Sequence, residues 1–254
     1  MSKHATRTHS AHHNARRDAP DHRDVAYAPK QVGVPAEAPL DRYSALGLPV
    51  HDQGDEFSCT GFGLAAVVDH ALLRHGMTEL SRPASPRMLY EMARRYDGVA
   101  DPDHKGSTPR GALKGWRKHG VCGWDLWPYV ADKVDRELSP ERAFDARRRP
   151  LGSYWRIPGE NLALLRAAIW REGIVYVTAD VHQGWHKVGG DGVIPYPAEP
   201  LGTHAFALVG YDADGFWLQN SKGVGWGKGG YGYVSQADWL ANGQDAWVAQ
   251  PRVK

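Results

Sequence analysis

Two hydrophobic patterns dominate the chain: an apolar block at 61–76 and an alternation that begins at Gly173. The block carries apolar side chains all round a helical wheel, which predicts a buried helix ending on a glycine C-cap at Gly76. Ser85-Pro86 supplies an N-cap and first-turn proline for a second helix, from Arg87 to about Tyr96, halted by Asp97-Gly98. A third helix is predicted over 109–119, closed by Gly120. A fourth spans 160–171, with Leu162, Leu165 and Ile169 on one face. After Gly173 the period changes to two. Residues 174–178 predict a strand, followed by a Gly-rich insertion to about Glu199. Segments 205–211 and 216–219 pair round a turn at 212–215, with further strands at 231–234 and 246–248. Helices first and strands second predict an α+β fold with a cleft between two halves.

Residues 1–38 show no apolar period that buries a face, and they are rich in His, Ala, Arg and Pro. They read as a flexible leader, with the ordered domain over 39–254, helical over about 45–150 and β-rich over about 151–254. His4, His9, His12 and His13 read as part of a solvated tail, so no metal site is expected there. The first 30 residues hold six Lys/Arg against three Asp. The remainder is close to neutral, which argues against a basic nucleic-acid surface despite a pI near 8.5.

A hydrophobic share of 42% with 24% charged residues is ordinary for a soluble globular domain. No stretch approaches about 18 consecutive apolar residues, so no membrane span is expected. Residues 1–30 lack the roughly 7–15-residue apolar core of a secretory signal. The expectation is a cytoplasmic protein, or one exported by a route without an N-terminal signal peptide. The two cysteines, Cys59 and Cys122, are too few for a disulfide framework or a Cys-rich zinc site.

Cys59 falls at the start of the predicted buried helix, where unpaired N–H groups and the helix dipole favour thiolate over thiol. A nucleophilic cysteine also needs a base, an orienting group and oxyanion donors. His204 opens one hairpin strand and Asn220 closes the next, so pairing brings them together, in a register that a bulge would shift. Gln53, six residues before Cys59 in a Gly-containing loop, is placed to turn its amide toward the thiol.

The segment 49–65, with Gln53-Gly54 and Cys59, resembles the active-site block of papain-like cysteine peptidases. Segment 204–212 resembles that family's histidine strand. Asn220-Ser-Lys-Gly223, followed by Gly225-Trp-Gly227, resembles its asparagine block. His204 lies 145 residues after Cys59, inside the interval of about 130–150 typical of papain-type enzymes. More weakly, Gly106-Ser-Thr-Pro109 and Trp127-Pro-Tyr129 resemble a substrate-pocket wall and the turn that follows it.

The resemblance implies a papain-like fold, a helical subdomain carrying the nucleophile packed against a β-barrel-like one. It implies peptide or protein substrates and no cofactor. Cys59 would be the nucleophile, His204 its acid–base partner and Asn220 the residue that fixes the imidazole. Gln53 and the Cys59 N–H would form the oxyanion hole. Thr108, Pro109, Gly202 and Thr203 would line the pocket for the substrate residue one before the scissile residue. No acid is visible there, which implies a small or apolar preference. The same thiol chemistry would serve an amidase, isopeptidase or transferase, including one delivered as an effector toxin. A catalytically silent binding protein on the same fold is a further reading.

The sequence departs from the family pattern at four places. Thr60 stands for the tryptophan after the nucleophile, and Glu56 for a half-cystine three residues before it. Lys222 replaces the tryptophan that shields the asparagine–histidine contact. The leader has no composition that would fold as an inhibitory prosegment. The first two changes suit a bacterial-type member without the usual disulfides, and the last two bear on rate and regulation rather than on the fold.

Overall fold

The computed structural model describes residues 14–29, 33–77, 83–99, 104–130 and 135–252. A short turn of helix, α1 (Asp41–Ser44), leads to α2 (Cys59–Arg74), α3 (Pro86–Tyr96), α4 (Pro109–His119) and α5 (Pro140–Ala146). Then follow β1 (Leu151–Pro158), α6 (Leu162–Glu172), β2 (Val175–His182), β3 (Pro200–Tyr211), β4 (Gly215–Gln219), β5 (Tyr231–Ser235), α7 (Gln236–Asn242) and β6 (Gly243–Pro251). The six strands form one antiparallel sheet in the order β1-β6-β2-β3-β4-β5.

Local sequence sets the helix starts. α3, α4 and α5 each open on Ser or Thr followed by Pro, and the hydroxyls of Ser85, Thr108 and Ser139 accept the N–H groups of Met88, Gly111 and Arg142. α2 is buried from Cys59 through Leu72, as its all-round apolar pattern requires, because it is the central element between α3 and the sheet. Two glycines allow the close approach. A Cβ on Gly61 would meet the Pro86 carbonyl at 2.3 Å, and one on Gly63 would meet the Phe206 backbone at 3.1 Å. The anticipated bulge is present in β3: pairing with β4 shifts between Leu208 and Gly210.

The structure departs from the sequence reading at the N-terminus. Residues 14–29, expected to be a flexible leader, run as an extended strap across the body. Ala15 N–H donates to Thr203 O (2.9 Å) and Arg16 N–H to Ser107 O (3.0 Å). Farther on, Tyr27 N–H donates to Arg156 O, and Arg156 N–H to Val25 O, both at 2.8 Å. Charges hold the middle of the strap. The Arg110 guanidinium grips Asp24 through Nε and Nη2 (3.0 and 2.5 Å), and Arg156 Nη1 reaches the same carboxylate (3.1 Å). Buried Asp18 accepts the Arg110 backbone N–H (3.1 Å) and the Trp247 indole N–H (3.1 Å). Burial and the nearby Asp245 push its carboxyl up to about 6. A composition scan misses such a segment because main-chain hydrogen bonds and scattered ion pairs hold it, without an apolar stripe. The four leader histidines, with the rest of residues 1–13, lie outside the described residues.

Candidate active site

Cys59 is the first residue of α2, and its thiol is fully buried beside the backbone N–H groups of Ala205 and Thr60. Ala205 follows His204 in β3, so the helix start is set against the histidine strand. His204 Nε2 lies 2.9 Å from Asn220 Oδ1. That oxygen only accepts, which places the Nε2 proton in this bond. Asn220 is itself held: its Oδ1 also accepts the Ser221 N–H (2.8 Å), and its own N–H donates to Gly230 O (3.0 Å).

The loop carrying Gln53 joins this cluster by a short antiparallel ladder. Gln53 N–H donates to Ser221 O and Gly223 N–H to His51 O, both at 3.0 Å. The Gln53 side chain is fully buried. Its Oε1 accepts the Ser221 hydroxyl (2.5 Å), and its Nε2 donates one proton to Glu56 O (2.7 Å). A primary amide carries two donors, so the second is available to an oxyanion. The Tyr129 hydroxyl bonds to Gln53 O and braces the loop from the far side.

The electrostatics differ from the expectation drawn from a helix N-terminus. Burial pushes the Cys59 thiol up to about 11, against the opposing effects of the Ala205 N–H and the Lys222 ammonium. Burial also pushes the His204 imidazole down to about 3, with Lys222 acting in the same direction. Both shifts favour the uncharged thiol and imidazole. Lys222 is itself half-buried, its pKa lowered by burial against the pull of Asp52, and its Nζ sits 3.5 Å from Gly54 O.

The four positions that depart from the family pattern are each accommodated. Thr60 Oγ1 bonds Ser107 Oγ (2.5 Å), and its carbonyl accepts the Tyr176 hydroxyl (2.8 Å). Glu56 receives both terminal nitrogens of Arg87, at 2.7 and 2.9 Å. At the histidine, Trp185 presents a T-shaped contact at 5.9 Å, and Trp226 stacks on Trp185 at 6.0 Å. These two rings flank the site that Lys222 leaves without its usual cover. In place of a folded prosegment, the strap runs between Thr203 of β3 and Ser107 ahead of α4.

Of the anticipated pocket residues, Thr108 and Pro109 cap and open α4, and Thr203 supplies the carbonyl that holds Ala15. Gly202 precedes it on β3 with an extended backbone, φ 154°. Ser107, inside the wall segment read from the sequence, and Asp97, not anticipated, complete the wall: Ser107 O holds Arg16, and the Asp97 carboxylate receives the Arg16 side chain. Gly106, φ +74°, must be glycine because a Cβ would lie 1.8 Å from the Asn14 carbonyl. Asp97 appeared in the sequence only as a helix stop.

Residues 41–245 match the family described as papain family cysteine protease. The chain is 27% identical over 194 residues to cathepsin 7 of Mus musculus, covering 72% of this chain and 56% of that protein. It is 26% identical over 210 residues to peptidase 1 of Dermatophagoides farinae, covering 80% and 61%. The chain thus spans less than two thirds of the length of these curated relatives. Among solved structures, xylellain, a cysteine protease from Xylella fastidiosa, is similar with a TM-score of 0.82 at 24% identity, covering 96% of this chain and 97% of that one. Digestive procathepsin L 3 of Tenebrio molitor is similar at 0.68 and 20%, covering 91% and 74%. The two structures speak to the fold alone, whereas the family match spans most of the sequence. On that match, the chain belongs to the papain family of cysteine proteases.

Proposed function

We propose that this chain hydrolyses peptide bonds through a covalent thioester on Cys59. The carrying observation is the convergence of a helix-start thiol, an Asn220-held imidazole and a buried Gln53 amide in one cluster. In the reactive state the thiol proton resides on His204 Nδ1, and the thiolate attacks the substrate carbonyl carbon. The Gln53 amide N–H and the Cys59 backbone N–H receive the developing oxyanion. Collapse of the tetrahedral adduct breaks the C–N bond as His204 passes its proton to the leaving amine. Water then attacks the thioester, with His204 taking its proton, and the acid departs as the thiol re-forms. Asn220 keeps the ring in the tautomer and orientation both steps need.

The test is release of a fluorophore from dipeptidyl amides, together with labelling by a thiol-directed epoxide. One equivalent should modify Cys59 and abolish turnover. Cys122 should remain unmodified, because it is packed in a separate apolar cluster with Met88, Met92, Trp127 and Ala146 rather than beside His204. Equal modification of both cysteines in the native protein, or no turnover, would count against this reading.

Lys222 offers a test of the electrostatics. Its ammonium lowers both pKa values of the pair, since positive charge favours thiolate and disfavours imidazolium. A unit charge at about 6 Å contributes about 0.7 kcal/mol in water and about 2.8 at an effective dielectric of about 20. A half-buried ammonium lies between these limits, which corresponds to about 0.5–2 pK units. Lys222→Met should therefore translate both limbs of the kcat/KM pH profile upward by that amount, with little change in height. A fixed profile would show that the ammonium does not act on the pair.

A further inference from the structure

The strap leaves a record of what the cleft accepts. Ala15 is held by the carbonyl preceding His204, and Arg16 by Ser107, whose hydroxyl bonds the residue after Cys59. These are the walls of the pocket inferred for substrate, so a substrate main chain must displace this part of the strap. The Arg16 side chain turns into the wall, where Nη2 meets Asp97 Oδ2 at 2.5 Å and stands 3.5 Å from Gly106 O.

Asp97 is a built subsite. Its side chain is 0% exposed, while that of Arg16 is 31% exposed and so reaches in from the cleft. The Val99 N–H fixes Asp97 Oδ1 (3.0 Å), and His104 Nε2 approaches Oδ2 (3.0 Å). Gly111 of α4 admits the residue: a Cβ there would be 3.0 Å from Asp97 Cβ. Among the described residues, Arg16 is the one Arg or Lys in ion-pair reach of Asp97. When Arg16 leaves, the carboxylate keeps the Val99 N–H and His104 but loses its one Arg partner among the described residues. A buried charge that loses its partner is costly, and an entering cation restores the pairing.

Building on the peptidase reading, we propose that Asp97 selects a basic side chain, arginine or lysine, at the substrate position that takes the place of Arg16. Successive residues are about 3.8 Å apart along the chain, so this position lies within a residue or two of the scissile bond. The basic preference proposed differs from the small or apolar preference expected when no acid was visible near Thr108 and Thr203.

The test compares peptides that differ only in arginine against citrulline, its neutral near-isostere, at each position before the scissile bond. Equilibrium binding is measured on the full-length chain carrying Cys59→Ala and Arg16→Ala, which empties the subsite and prevents turnover. At one position arginine should bind about tenfold tighter than citrulline or better, the range of a charge-assisted hydrogen bond in a buried site. Adding Asp97→Asn should bring the ratio to within about threefold, and Asp97→Lys should invert it in favour of glutamate. Equal affinity for arginine and citrulline at every position overturns the proposal, whether or not the Asp97 variants fold. Hydrolysis is measured separately with Arg16→Ala alone. Loss of cleavage there would sink the peptidase reading, whereas the binding ratio decides Asp97 on its own.

Discussion

Deleting residues 1–16 is expected to raise kcat/KM about tenfold while leaving the fold intact. That cut removes Asn14, Ala15 and Arg16 from the cleft but keeps the Asp18 and Asp24 anchors. The two main-chain hydrogen bonds and the Arg16–Asp97 contact stabilise the docked segment by about 4 kcal/mol gross. Ordering a short stretch already tethered at Asp18 costs about 2–3 kcal/mol. The remaining 1–2 kcal/mol or so leaves the cleft open about a tenth of the time, and apparent affinity falls by that fraction. Deletion to residue 36 should give the same gain but lower the melting temperature by roughly 5–10 °C. It also removes the Asp24 ion pairs and buried Tyr27, together worth about 2–3 kcal/mol. Both cuts should move the pH dependence of Cys59 alkylation toward lower pH. Ala15 belongs to the buried cluster around Cys59, and admitting water removes part of the burial that pushes the thiol up. Unchanged activity and alkylation would show that the strap does not obstruct the site. An unchanged melting temperature after the longer cut would instead support the flexible leader that composition suggests.

The residues proposed for the chemistry were legible because each is fixed by its near neighbours in sequence. Cys59 heads a helix whose apolar block announces it. His204 and Asn220 bracket a hairpin with a recognisable turn, and Gln53 stands a fixed six positions from the thiol. The Ser-Pro and Thr-Pro pairs likewise marked the starts of α3 and α4. What stayed hidden depends on partners distant in sequence. β1 alternates poorly, with Gly152, Ser153 and Arg156 inside it, and is a strand because β6 pairs with it along its length. α7 is a helix of about two turns, set by the Ser235 cap rather than by periodicity. Asp97 reads as a helix stop in sequence, and only the fold turns its carboxylate toward the cleft. The strap docks on the carbonyls of Ser107 and Thr203, both in segments read as pocket wall, but nothing in the sequence of residues 14–16 marks them as the segment that docks there.

Arg87→Met is expected to cost about 3–5 kcal/mol of stability, the second large effect. The family pattern to which the sequence is compared has a half-cystine where this chain has Glu56, and here the loop that carries Gln53 is tied to α3 by an ion pair. Arg87 is 1% exposed, gives two parallel hydrogen bonds to Glu56 and a third to Glu91 Oε1 (3.2 Å), and packs over the Tyr129 ring at 4.9 Å. Removing the cation affects two carboxylates: buried Glu91 keeps Arg94 at 3.3 Å, while Glu56 is left without an Arg or Lys partner among the described residues. Breaking a buried pair by deleting one member typically costs that much, whereas replacing both members costs far less. With ordinary domains stable by about 5–15 kcal/mol, the single variant should unfold at markedly lower urea, or fail to accumulate at low temperature. Glu56→Gln/Arg87→Met should recover much of the loss, because the uncompensated charge at the loop is gone. The readout that separates a tether from simple packing is kinetic. Gln53 donates to the Glu56 carbonyl, so slack in this loop should lower kcat more than it raises KM in whatever fraction remains folded. A loss below about 1 kcal/mol in the single variant would mean that the ion pair does not carry the role the missing disulfide leaves open.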